Sequence, residues 1–150
     1  PDVKIVPILA AQFSEDPEHA RPDEINGVRR FLDECHEIAS EPGRKVSVIA
    51  GADLAHVGRR FGDDFEISDE ILREVCGRDE EDLRHIATPA ADAFYASVMR
   101  DANARRVCGL GCIYAALKTV EGRMDAARLL NYSYAPDPAG GIVSFAVAAG

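Results

Sequence analysis

The first fifty residues alternate between apolar runs and a helical pattern, and this order constrains the fold more than any other feature. The β-branched runs at residues 3–9 and 46–50 predict two buried strands. Between them, residues 24–39 place apolar side chains at helical spacing, with Asp23 as the N-cap and a breaker at residues 41–43. A strand, a helix and a strand in this order predict a parallel βαβ unit with a right-handed crossover.

The rest of the chain continues with helices and closes with two strands. Ser68 opens a helix that Gly77 ends, and a short acidic helix is expected at residues 80–86. Thr88 caps a further helix at residues 89–99, with proline in its first turn. The remaining elements are a helix at 112–120 and strands at 127–134 and 142–148, joined by a turn. We therefore expect one domain over residues 1–150, an α/β fold whose mixed, largely parallel sheet is flanked by helices.

The charge balance excludes two classes of partner. The 150 residues include 17 basic and 26 acidic side chains, which give a net charge of −9. Nucleic acids and anionic membranes are bound by basic patches, so this balance argues against both. No apolar run is long enough to span a membrane. Four irregularly spaced cysteines in a chain of this size favour reduced thiols and a cytoplasmic protein.

The segment after the second predicted strand carries the first candidate site. Asp53 and His56 follow residues 46–50 within a few positions, at the end of a strand where open α/β sheets bind their ligands. An imidazole and a carboxylate together relay a proton or bind a metal. The same spacing also fits a simpler interpretation, in which Asp53 caps a turn and His56 is exposed.

Cys108 is the second candidate, because it lies just before a predicted helix. The positive end of the helix dipole and the free backbone amides lower the pKa of a thiol in that place, which favours a reactive thiolate or a metal ligand. The alternative is a buried cysteine that packs as a small apolar residue. Cys112, four residues later, lies on the same helix face.

An ordered set of short motifs resembles the carboxyl-terminal half of the MEMO family, which includes AmmeMemoRadiSam system protein B. The set begins with the D-x-x-H-x-G element formed by Asp53, His56 and Gly58, and continues with the C-G element at Cys108. It ends with an L-N-Y segment at residues 130–132 and a small-residue stretch at 144–150. The resemblance runs nearly end to end and implies a fold like that of the class III extradiol dioxygenases, which are non-haem iron enzymes.

The resemblance also implies the site residues. It assigns Asp53, His56 and Cys108 to the pocket, with His56 carrying a proton or binding substrate, Asp53 orienting it, and Cys108 facing a metal. His56 and Cys108 are the implied metal ligands, and a divalent metal such as iron is the implied cofactor. A family member would be about twice this length, and the histidines that its other half brings to the pocket are not in this sequence.

Three functions follow as hypotheses. The chain binds a small ligand or a peptide in a dioxygenase-like pocket, it is a metal-dependent dioxygenase-like enzyme, or it acts as a subunit with a radical-SAM partner. The partial ligand set favours binding over catalysis. It also predicts that the chain binds divalent metal weakly or not at all. The strand-end position of His56, the helix-start position of Cys108 and the resemblance together predict that these two residues converge on one pocket.

Overall fold

The computed structural model describes residues 3–11 and 21–150. In this part of the chain, four helices precede and flank a small sheet. The helices are α1 (Asn26–Ser40), α2 (Asp69–Ala87), α3 (Ala91–Met99) and α4 (Leu110–Val120). The strands are β1 (His56–Gly58), β2 (Arg128–Asp137) and β3 (Gly141–Ala149), and short 3₁₀ turns lie at Pro22–Glu24 and Arg59–Phe61.

The described sheet is antiparallel throughout, with the strand order β1-β3-β2. β2 and β3 form a hairpin whose register pairs Asp137 with Gly141 beside the turn. β1 is short and pairs with the start of β3, so that His56 lies opposite Val143. The carboxyl-terminal hairpin therefore holds the segment that carries Asp53 and His56 against the rest of the molecule.

The predicted parallel strands are not present in the described sheet. Residues 3–9 and 46–50 have no strand pairing, and several of their apolar side chains are exposed, with Leu9 fully so and Ile49 at 88%. The prediction of a mixed α/β fold is confirmed, but that of a largely parallel sheet is not. A strand needs the backbone groups of a neighbouring strand for its hydrogen bonds. In the described sheet, β3 uses these groups to pair with β1 and β2, and neither apolar segment joins it.

The helices lie where the sequence pattern predicts them, but two predicted caps are wrong and α2 is longer than predicted. Asp23 is not the N-cap of α1, which is Ile25, because Pro22–Glu24 form a separate 3₁₀ turn.

The predicted stop at Gly77 is wrong, because α2 runs without interruption to Ala87 and includes the predicted acidic helix. A glycine costs only about 1 kcal/mol inside a helix, and buried contacts of Asp79, Asp82 and Leu83 on the same helix outweigh it. Thr88 does not cap the next helix but closes α2, where its hydroxyl donates to the carbonyl of Arg84.

Two clusters of buried side chains include residues next to the candidate site. The larger one packs α2, α3 and α4 together around Phe94, Val98 and Tyr114, which are almost completely buried. Leu54 and Val107, on either side of the candidate site, belong to this cluster. The smaller cluster joins β1 and β3 to α2 through Ala55, Val57, Val75 and Ile142. The chain segments on both sides of the site are therefore fixed in the core.

Candidate active site

Asp53, His56 and Cys108 lie together at one place in the structure. Asp53 precedes β1, His56 is its first residue, and Cys108 lies two residues before α4 begins. One ligand atom from each side chain lies within 4.8 Å of the other two. The predicted convergence of His56 and Cys108 is confirmed as a distance between side chains, although about fifty residues separate them in sequence.

Asp53 is the centre of this group because it contacts both of the other side chains. The Cys108 thiol donates a hydrogen bond to Oδ1 of Asp53 over 2.7 Å. The other carboxylate oxygen, Oδ2, lies 3.6 Å from Nε2 of His56. Asp53 and His56 are therefore close, but this distance is too long for the hydrogen bond expected between them. The carboxylate lies between the imidazole and the thiol.

The tautomer of His56 follows from its other ring nitrogen. Nδ1 lies 3.2 Å from the carbonyl oxygen of Leu54 and 3.2 Å from that of Arg106. A carbonyl only accepts hydrogen bonds, so Nδ1 carries the proton and donates it. The edge of the Phe61 ring packs against the imidazole, with centroids 5.1 Å apart. A neutral His56 therefore presents the lone pair of Nε2 towards Asp53 and Cys108.

Gly109 explains why the backbone of Asp53 can approach Cys108 so closely. A Cβ atom at position 109 would lie 2.5 Å from the carbonyl oxygen of Asp53 and 2.6 Å from Cβ of Ala52. Real Cβ atoms essentially never make contacts this short, so a larger residue would push the two segments apart. The glycine after Cys108 is thus required by the close approach of Asp53 rather than by an unusual backbone angle.

The environment of the thiol differs from the one predicted. Burial, followed by the hydrogen bond and the charge of Asp53, raises the pKa of Cys108 to about 11. The prediction of a lowered pKa at the helix start is therefore wrong for the metal-free chain. The carboxylate and the burial outweigh the helix dipole, whose contribution falls off within the first turn. In this state Cys108 is a protonated thiol that donates to Asp53.

A buried ionic network lies directly behind the site. Arg105 donates to Asp79 through Nη1 and to Asp82 through Nη2, and both carboxylates are fully buried. Ser97 donates to Asp82 over 2.6 Å, and Tyr132 donates to Asp79 over 2.8 Å. Burial raises the pKa of Asp79, an effect that its hydrogen bond from Ser144 and the charge of Arg105 oppose.

The network also holds the backbone of the site. Ser144 donates to Asp79 and accepts a hydrogen bond from the backbone amide of Ala55 over 2.9 Å. The amide of His56 donates to the carbonyl of Arg105 over 2.7 Å. The segment before β1 and the loop before α4 are therefore joined through the same buried charges.

Sequence reasoning missed this network, although a signal for it exists. Asp79 and Asp82 occur in a stretch of α2 that reads as an acidic, solvated helix face. Their spacing places them with Val75 and Leu83 on the buried stripe of the helix. Carboxylates on an apolar stripe are rarely buried without a partner, so this position indicates a buried cation elsewhere in the chain.

Asp53 and Cys108 line an open cleft of about 340 Å³, and His56 lies beside them without lining it. Besides Asp53 and Cys108, its walls are formed by small residues of three segments and by the second cysteine: Ala10, Gly51, Ala52, Gly109 and Cys112. Cys108 and Cys112 both line this cleft, but they do not share a helix face as predicted, because Cys108 precedes α4. All four cysteines of the chain are free thiols.

Comparison with known proteins places this architecture in a family. The family model described as Memo-like protein matches residues 1–149. The chain belongs to the Memo-like protein family. The resemblance found in its motifs is thereby confirmed over almost the whole sequence. A search of curated proteins finds no significant match.

Two other histidines of this Memo-like chain, His36 and His85, do not join the site. His36 lies on α1, where its Nε2 contacts the hydroxyl of Ser40 over 3.5 Å. His85 belongs to the last turn of α2, and His19 lies outside the described residues. Within residues 3–11 and 21–150, Asp53, His56 and Cys108 form the group that could hold a metal. In the same residues, no helix combines the length and the apolar character that crossing a membrane requires.

Proposed function

We propose that the chain binds a small ligand in the cleft beside Asp53, His56 and Cys108, and that these three residues hold a divalent metal ion there weakly. The observation that carries this proposal is the convergence of one nitrogen, one oxygen and one sulfur donor within 4.8 Å. The cleft volume of about 340 Å³ lies within the range of small-molecule sites, which supports a small ligand rather than a long peptide.

The orientation of His56 supports a cation at this point. A neutral His56 directs the lone pair of Nε2 towards a carboxylate oxygen of Asp53, 3.6 Å away. Two acceptors face each other, and a cation between them satisfies both. Histidines that bind metals donate their other ring nitrogen to a carbonyl or a carboxylate, as Nδ1 does here to two backbone carbonyls.

The donor set indicates which metals fit. Thiolate and imidazole favour zinc, copper and iron over magnesium and calcium, which prefer oxygen ligands. Such a metal supplies Lewis-acid or redox chemistry when it is bound. Asp53, His56 and Cys108 would hold such a metal with three protein ligands, the number that leaves a coordination position for a ligand or water. Proton release from Cys108 opposes binding, since the pKa of the free thiol is raised to about 11.

A cobalt titration tests the proposal, because cobalt reports a thiolate ligand through an ultraviolet charge-transfer band. We expect saturable binding with a dissociation constant above about 1 µM, which corresponds to less than about 8 kcal/mol. Closed structural zinc sites reach about 10–16 kcal/mol. His56→Ala and Cys108→Ser should each abolish the band, whereas the matched control Cys35→Ser should leave it unchanged.

Two results would count against parts of the proposal. Absence of any band in the wild-type chain, or a band that persists in Cys108→Ser, would exclude the three residues as the binding site. A metal content near one ion per chain after purification without added metal would show that binding is not weak. That result would favour the second candidate function, a metal-dependent enzyme.

The enzyme hypothesis has one observation in its favour. Three protein ligands with an open position are the number that catalytic metal sites keep. Non-haem iron oxygenases, however, use two histidines and one carboxylate, whereas here Cys108 occupies the place of a second histidine. A class III extradiol dioxygenase-like fold and a reduced, cytoplasmic environment are likewise our proposals, the second supported by the four free thiols. Binding of a small ligand with weakly held metal is the function that the geometry supports best.

A further inference from the structure

The loop before Cys108 has an unusual backbone. Ala102, Asn103 and Arg106 all have positive φ angles, of 55°, 55° and 51°. This left-handed region disfavours residues with a Cβ atom, and it persists where surrounding contacts enforce it. Of the three residues, Arg106 is the one whose carbonyl oxygen accepts the hydrogen bond from Nδ1 of His56.

Arg106 is held in this conformation by Asp63. Its guanidinium donates two hydrogen bonds to the carboxylate, from Nη2 to Oδ1 over 2.7 Å and from Nη1 to Oδ2 over 3.1 Å. Asp63 also accepts a hydrogen bond from the amide of Gly58, at the end of β1, over 2.8 Å. These bonds from Arg106 hold the pKa of Asp63 below its usual range, so the pair stays ionised near neutral pH.

We propose that Arg106 is a positioning residue that fixes the tautomer of His56, and that Asp63 keeps Arg106 in place. The ion pair, together with the hydrogen bond from the amide of Arg106 to the carbonyl of Asn103, holds the left-handed backbone. This backbone directs the carbonyl at Nδ1 and leaves Nε2 as the acceptor that faces Asp53 and Cys108. The second acceptor, the carbonyl of Leu54, lies two residues from His56 on the same segment. Arg106 is therefore the contact that joins the ring to the loop carrying Cys108.

The variants separate positioning from general stability. Asp63→Asn removes the charge that holds Arg106 but keeps an oxygen for the amide of Gly58. Arg106→Gly keeps the carbonyl and tolerates a positive φ, but it lacks the guanidinium. Arg106→Lys retains the positive charge but cannot make two parallel hydrogen bonds to Asp63. It should therefore retain the Nδ1–H tautomer of His56 in part. Arg59→Ala is the control, because Arg59 is an exposed arginine that pairs with Glu66.

The tautomer is measured by ¹⁵N NMR of the histidine ring in metal-free protein, at a pH where the ring is neutral. We expect the Nδ1–H form to dominate in the wild-type chain and in Arg59→Ala. Asp63→Asn and Arg106→Gly should shift part of the population towards Nε2–H, the form that a free histidine side chain favours in water, while the carbonyl of Leu54 still holds the rest as Nδ1–H. A merely structural role for Arg106 would leave the tautomer unchanged in every variant that still folds.

The claim that Nε2 of His56 binds a metal rests on the proposed function, so cobalt affinity is measured separately. Removing a residue that orients a metal-binding histidine weakens metal binding about 10- to 100-fold. For Asp63→Asn we expect the cobalt affinity to fall about tenfold. An Nε2–H ring in the wild-type chain, or an unchanged tautomer in folded Asp63→Asn, would overturn the positioning role. A shifted tautomer with unchanged cobalt affinity would support positioning but refute Nε2 as a ligand.

Discussion

Two parts of the molecule with comparable sequence signals have very different structures. The site region, residues 53–58 and 105–109, is held in place by buried charges, by backbone hydrogen bonds and by the close packing at Gly109. The apolar segments, residues 3–9 and 46–50, have no strand pairing and expose several apolar side chains. The apolar segments were expected to form the parallel core, and the site was expected at the end of the second of these strands and at the start of a helix.

The difference shows what an apolar pattern can and cannot specify. Alternating β-branched residues indicate that a segment can form a strand, but they do not identify the strand with which it pairs. In the site region, Arg105 and Ser144 make directional contacts that admit one arrangement. We infer that buried polar contacts fix the site, while the apolar segments contribute little to the stability of this chain.

Replacing Arg105 should have the largest effect. Arg105→Ala leaves Asp79 and Asp82 buried without their cation, and removing one partner of a buried ion pair costs about 3–5 kcal/mol. By contrast, Ile5 is 84% exposed, so Ile5→Ala should change the free energy of unfolding by less than about 0.5 kcal/mol. Urea unfolding of both variants measures the difference. Equal losses in the two variants would refute the contrast between the regions.

Cys108 should react more slowly than an ordinary thiol. Only the thiolate is alkylated, and the pKa of this thiol is raised from 9.0 to about 11. Iodoacetamide should therefore modify Cys108 about 100-fold more slowly at pH 8 than it modifies a cysteine in the unfolded chain. Asp53→Asn should speed the reaction, because it removes the negative charge beside the sulfur. Alkylation as fast as in the unfolded chain would contradict the raised pKa and restore the helix-dipole prediction.

A methyl group at position 109 should separate Asp53 from Cys108. Gly109→Ala places a Cβ atom 2.5 Å from a backbone oxygen, and overpacking of this kind costs about 1–3 kcal/mol. We expect this loss together with loss of cobalt binding. Gly27→Ala is the matched control, because a Cβ atom there meets nothing within 4 Å. It should leave cobalt binding intact and change the free energy of unfolding by no more than about 1 kcal/mol, in the stabilising direction.

The smallest expected change in stability concerns the apolar segments. Ile5→Lys and Ile49→Lys replace exposed side chains, so each should alter the free energy of unfolding by less than about 0.5 kcal/mol. Exposed apolar runs promote association between chains, so light scattering of the doubly substituted chain should show less self-association than that of the wild type. A large loss of stability in either variant would place these residues in the core.

The sequence was sufficient where the relevant contacts are local. The periodicity of α1 and the alternation in β2 and β3 predict these elements to within a few residues. The convergence of Asp53, His56 and Cys108 was also predicted, though through the family resemblance rather than through spacing.

Other contacts between distant segments could not be predicted. The pKa of Cys108 depends on Asp53, which lies 55 residues away in sequence. Likewise, the network of Asp79 and Asp82 depends on Arg105, and no single helix pattern contains all three residues. The continuation of α2 through Gly77 has the same cause, since tertiary burial outweighs local propensity.

The central claim is that Asp53, His56 and Cys108 bind one ion together, and X-ray absorption spectroscopy of the zinc-loaded chain tests it most directly. With zinc below the protein concentration, we predict one sulfur neighbour at about 2.3 Å and nitrogen or oxygen neighbours at about 2.0–2.2 Å. The sulfur contribution should vanish in Cys108→Ser and persist in Cys35→Ser. A spectrum with only nitrogen and oxygen neighbours, or one that Cys108→Ser leaves unchanged, would contradict the account.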